Sequence, residues 1–125
     1  MGTETATVRA ILDYLHLRGY LAWRQNSRVV MLPGKGGKER PYRMGGVKGM
    51  ADIVGCVPCC RQDLARWERR ECTHGSPAGR FLAIEVKSAT GKPTPEQTAF
   101  LAAVVRAGGI AFVARSVDDV RQHGL

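Results

Sequence analysis

A single α/β domain, with a central mixed β-sheet flanked by helices, is the fold class that three observations predict. Val8, Ile11, Leu12 and Leu15 recur at helical spacing near the N-terminus. Ile53-Val54 and Phe81 to Lys87 are short runs of strand length, apolar except for the charges that end the second. A second helical stripe, Phe100, Leu101, Val104 and Val105, stops at Gly108-Gly109 and leads into another strand-like run, Ile110 to Ala114. A chain of 125 residues is large enough for one core and too short for two, so residues 1–125 are read as one domain.

The elements follow in order. Glu4 lies four residues before Val8, one turn up the first helix, where it either faces inward or simply complements the positive helix N-terminus. Two strand-like runs, near Arg28 to Leu32 and Pro41 to Met44, flank Pro33-Gly34-Lys35-Gly36-Gly37-Lys38 and predict a hairpin. This loop lacks the Gly-Lys-Ser/Thr ending and the following helix of a phosphate-binding P-loop, so no nucleotide cofactor is expected. The glycine-punctuated stretch Gly46 to Gly55 puts Asp52 at a strand entrance. Thr94 as N-cap, Pro95 at the first helical position and Gln97 in a capping box start the second long helix. Ser116 caps a short last helix. Arg115 just before it is read either as a phosphate contact or as a solvated strand-end arginine. His16 and His123 are placed in helices without a role.

The chain holds no internal repeat and no apolar run of membrane-spanning length. Glu4 and Arg9 interrupt the place where a signal peptide needs its apolar core, so a soluble, cytoplasmic protein without a membrane partner is expected.

Glu85 and Lys87 are two apart on one strand and therefore share a face. Charges at the end of an otherwise apolar strand are costly unless they pair or bind an ion. An ion pair at a strand end is the simpler account for Glu-x-Lys alone. Asp52 adds to it: if the two strands pair, Asp52 and Glu85 converge on one divalent cation, and oxygen ligands suit Mg²⁺ or Mn²⁺. Such a centre activates water and neutralises charge on phosphoryl oxygens. Lys87 would then hold the attacking water or stabilise developing negative charge.

Basic residues outnumber acidic ones by 19 to 11, a net charge of +8, which favours a polyanionic partner. The excess is concentrated between Arg24 and Lys48, where Arg28, Lys35, Lys38, Arg40, Arg43 and Lys48 are the candidate DNA contacts and Glu39 is the single acid.

All four cysteines fall in a stretch of about 56–78, read as an insertion. Cys56, Cys59, Cys72 and His74 have the residue types of a structural zinc site, with Cys60 as a substitute member and a tight Cys72-x-His74 gap. The alternatives are unligated cysteines or a redox-sensitive pair. The charged run from Asp63 to Glu71, with Arg66, Arg69 and Arg70 and with Arg61 just before it, reads as a solvated helix face or an extension of the DNA surface, and Trp67 in it as a packing residue rather than a base-stacking one.

Gly49-x-x-Asp52, then Glu85-x-Lys87, then Gln97, in this order between Glu4 and about Val120, resembles the VRR-NUC branch of the PD-(D/E)XK nuclease superfamily. Ala51 stands where the superfamily motif has proline. The resemblance implies a restriction-endonuclease-like fold and a Mg²⁺- or Mn²⁺-dependent endodeoxyribonuclease. It assigns Asp52, Glu85 and the Val86 carbonyl to the metal, Lys87 to the attack, Gln97 to a place beside the lysine, and Glu4 to a water or second ion at the edge. Small stand-alone members resemble Holliday-junction resolvases, which implies branched DNA, a homodimer and a role in DNA repair. Two other readings stand beside it: a zinc-stabilised nucleic-acid-binding module without catalysis, and a nuclease active only within a larger repair or restriction assembly.

Overall fold

The computed structural model describes residues 3–25, 29–43, 47–59 and 78–125. Helix α1 (Glu4–Leu17) begins where the Thr3 hydroxyl accepts from the Ala6 amide at 3.1 Å. It is followed by β1 (Leu21–Arg24), β2 (Val29–Pro33), a 3-10 turn (Lys35–Gly37), β3 (Glu39–Arg43), β4 (Ile53–Pro58) and β5 (Gly79–Val86). Helix α2 (Pro95–Arg106), β6 (Ile110–Ala114) and helix α3 (Val117–Gln122) complete the chain.

Four strands form one sheet in the order β1-β4-β5-β6. The β1/β4 and β4/β5 pairs are antiparallel and β5/β6 is parallel, so the sheet is mixed, as expected. The parallel pair requires a crossover, and α2 supplies it. Alternation along β5 divides the core. Leu82, Ile84 and Val86 face α1, whose Val8, Ile11 and Leu15 are buried against them together with Phe112, Ala114 and Val120. Ala83 faces the other way and packs with Ala51, Leu101 and Val104 under α2. Each large aliphatic side chain so buried contributes about 1.5–3 kcal/mol. The domain is thus a mixed sheet between helices, with the C-terminal ends of β5 and β6 at one edge of both layers.

Three local expectations differ from the structure. Val105 was expected on the packed side of α2 but is 55% exposed, because it lies one step of about 100° beyond the covered Leu101 and Val104 stripe. Strand β4 continues to Pro58, two residues past the expected start of the cysteine-rich insertion, because Val57 is buried and Pro58 still pairs with Gly79. His123 caps α3 from outside rather than belonging to it. The hairpin forms as expected, with β2 and β3 making a separate two-stranded sheet.

Candidate active site at the ends of β4 and β5

Register brings the two carboxylates together. Ile53 pairs with Ile84 in the antiparallel β4/β5 ladder, so one step further Asp52 stands opposite Glu85. Directly opposed residues on an antiparallel pair share a face with Cβ atoms roughly 5 Å apart. Asp52 is further fixed by two main-chain bonds. Its Oδ2 accepts from the Val86 amide at 2.8 Å, and its carbonyl accepts from the Gln25 amide at 2.7 Å.

Gly49 explains how the chain reaches Asp52. Its φ of +78° is in the left-handed region, and a Cβ there would collide with the Glu96 carbonyl at the start of α2. The turn before β4 is therefore seated directly on the α2 N-terminus. Lys48, one of the expected DNA contacts, forms an exposed ion pair with Glu96 at 3.2 Å. A hydrogen bond from its own backbone amide first, and Lys48 second, hold the Glu96 carboxyl below its usual range.

Glu85 is 2% exposed, and its Oε1 receives the Lys87 ammonium at 3.0 Å. The expected ion pair is therefore present, but it accounts for only one oxygen. Oε2 is buried without a hydrogen-bond partner. Burial first, and the adjacent Asp52 charge second, push the Glu85 carboxyl up to about 7, against the lowering effect of Lys87. Two carboxylates and one ammonium thus share a poorly solvated place. A buried, unpartnered carboxylate oxygen beside a second carboxylate fits a divalent metal, and the oxygen chemistry is that of Mg²⁺ or Mn²⁺.

The other expected members lie nearby in different ways. Glu4 reaches the end of β5, where its Oε1 accepts from the Ser88 amide at 3.2 Å. Among the described residues no group of three or more His, Cys, Asp or Glu side chains is placed to hold a metal, so Glu4 does not join the Asp52/Glu85 pair in one cluster. Gln97 caps α2: its Oε1 accepts from the Thr94 amide at 2.8 Å and its own amide donates to the Thr94 hydroxyl at 3.2 Å. Of the two roles open to Gln97, the capping box is formed.

Ser88 and Arg115 carry more of the site than their residue types suggest. The Arg115 guanidinium donates to the carbonyls of Ser88 and, at 2.7 Å, Gly91. The Ser88 hydroxyl accepts from the Gly91 amide at 3.0 Å. Together with Glu4 these bonds clamp the segment that leaves Lys87. The Ser-x-x-Gly spacing, a turn signal, was the available clue to Ser88.

Cys56 is exposed on β4, and the Cys59 amide donates to the Ala78 carbonyl at 2.9 Å. Cys60, Cys72, His74, the Asp63 to Glu71 run and Arg28 lie outside the described residues. Lys35, Lys38, Arg40 and Arg43 all fall on the β2/β3 hairpin and are exposed. No described helix is long and apolar enough to cross a membrane.

Comparison of the chain with protein-family models, with curated proteins and with solved structures returns no match.

Proposed function

We propose that this chain is a metal-dependent DNA endonuclease of the PD-(D/E)XK type, similar to the VRR-NUC branch, with a restriction-endonuclease-like fold. One observation carries the reading: Asp52 and Glu85 oppose each other across β4 and β5, with Lys87 on the same face and a buried Glu85 oxygen unpartnered. The mixed sheet between helices is compatible with it.

Asp52, Glu85 and the Val86 main-chain carbonyl would hold Mg²⁺ or Mn²⁺. The ion, when bound, lowers the pKa of a water and neutralises charge on phosphoryl oxygens. Asp52 is pre-oriented by the Val86 amide, so little reorganisation is needed at that ligand. Lys87 keeps its ammonium against Glu85, from where it would orient a water and offset negative charge that develops on the phosphate. Glu4 and Arg115 hold the Lys87-to-Gly91 segment in place. Exposed cations on the hairpin supply sequence-independent attraction for DNA. By resemblance to junction resolvases, branched DNA is the substrate and a homodimer the working form. The cysteines of 56–78 would add a structural zinc.

The test is cleavage of a four-way DNA junction, a flap and a linear duplex, each with Mg²⁺, Mn²⁺ or EDTA, beside the Lys87→Ala variant. Metal-dependent junction cutting that the variant lacks is the expected result. Salt-sensitive binding without cutting under any metal would sink the nuclease reading in favour of a binding module or an assembly-dependent enzyme.

A further inference from the structure

The β2/β3 hairpin is built unlike the rest of the domain. Among the described residues it forms its own two-stranded sheet, separate from the main one. Register pairs Val29 with Arg43, Met31 with Pro41 and Pro33 with Glu39, so these six share one face, its single acid at the loop end. That face is open: Val29 is 49% and Met31 53% exposed. The opposite face carries the partly covered Val30 and Leu32, with the exposed Tyr42 and Arg40 across from them.

Isolated two-stranded ribbons are marginal in water, and exposed apolar side chains make this one more so. Its cations outnumber its one acid, Glu39. Lys35, Lys38, Arg40 and Arg43 form no ion pair with a described carboxylate, in contrast to Lys48 and Lys87. An apolar ribbon face bordered by unpaired cations, with two lysines at the tip, complements a groove with methyl groups on its floor and phosphates on its walls.

We propose that the β2/β3 ribbon enters the major groove of B-form duplex DNA, with Met31 and Val29 against the base edges and Lys35, Lys38 and Arg43 on the phosphates. This inference rests on the reading of the chain as a DNA-acting protein and specifies the form of nucleic acid it takes. Strands in a ribbon lie about 4.8 Å apart, and the B-form major groove, about 12 Å wide, admits such a ribbon. Five residues at roughly 3.4 Å each give strands of about 17 Å, enough to reach from one groove wall to the other. The A-form major groove of duplex RNA is too deep and narrow, so the ribbon discriminates against it. Thymine methyl groups supply the apolar partner that Met31 and Val29 lack.

The experiment uses the full chain in EDTA, where binding is read without cutting. Affinity is measured by fluorescence anisotropy for a DNA duplex and an RNA duplex of the same sequence over a salt series, and guanine N7 protection from dimethyl sulfate is mapped on the DNA. The expected result is at least about tenfold tighter binding of DNA, with N7 protection in one groove segment. Lys35→Ala/Lys38→Ala should reduce the slope of log affinity against log salt by about 1.8. Met31→Glu, checked for native circular dichroism, should abolish N7 protection. Equal binding of the RNA duplex, or DNA binding without N7 protection in the unaltered protein, would overturn the proposal. Metal-dependent cutting that proceeds without N7 protection would overturn it while leaving the nuclease reading intact. N7 protection without cutting under any metal would do the reverse.

Discussion

The Val86 amide donates to Asp52 Oδ2 at 2.8 Å, so a main-chain group of β5 orients the carboxylate that precedes β4. The bond links the two strand ends just where Glu85 and Lys87 project. It also offsets part of the repulsion between Asp52 and the buried Glu85 carboxylate.

Replacing Asp52 with Asn should therefore have two separable effects. If the chain is the nuclease proposed, metal-dependent cleavage should fall by at least about a hundredfold, since the proposed ligand loses its charge. The Glu85 carboxyl should titrate lower than in the unaltered protein, because the Asp52 charge is the second largest cause of its upward shift. Carbonyl-region infrared or NMR titration of both proteins reads this directly. An unchanged Glu85 titration would mean that the two carboxylates do not interact.

Stability of the metal-free protein should depend on pH through Glu85. Its folded-state value of about 7 lies above the ordinary 4.5, so the native state holds its proton more tightly than the unfolded chain. This contribution is fully present below 4.5 and is lost as pH rises through 7. At about 1.4 kcal/mol per unit the loss is on the order of 3 kcal/mol. Urea denaturation at pH 5 and pH 8 should show the difference, and Glu85→Gln should remove it.

Metal binding should displace that proton. Mn²⁺ affinity is expected to rise by up to about tenfold per pH unit below 7 and to level off above it. Calorimetry in two buffers of different ionisation enthalpy should detect up to one proton released near pH 6, and none would count against Glu85 as a ligand.

Lys87→Met should leave the fold near native while abolishing cutting. Its ammonium is what lowers the Glu85 carboxyl against burial, so the variant's Glu85 should titrate above 7. Retained full cleavage would remove Lys87 from the chemistry.

Gly49→Ala and Arg115→Ala test the supports. The alanine at position 49 meets both a left-handed φ of +78° and the Glu96 carbonyl, and should lower stability by about 2–3 kcal/mol in thermal melts. Loss of the Arg115 guanidinium frees the Ser88 and Gly91 carbonyls and should cost about 1 kcal/mol. Cleavage by this variant should drop in kcat more than in KM, since the segment behind Lys87 is loosened.

Much of the domain was legible residue by residue. Helical stripes, the Thr94 capping box and the β-branched runs act over a few residues, so element types and order can be read from local chemistry. The pairing of Glu85 with Lys87 is equally local, because it needs only the two-residue repeat of a strand. The Asp52/Glu85 juxtaposition is different: it depends on β4/β5 register, and a slip of one residue would have turned every side chain to the other face. Glu4 at Ser88, Arg115 over Gly91 and Gly49 on Glu96 join segments far apart in the chain, and no periodicity encodes such contacts. Residue types and spacing thus supplied the reactive groups. Their convergence, the raised Glu85 carboxyl and the free face of the ribbon came from packing, because burial and register are properties of the whole fold.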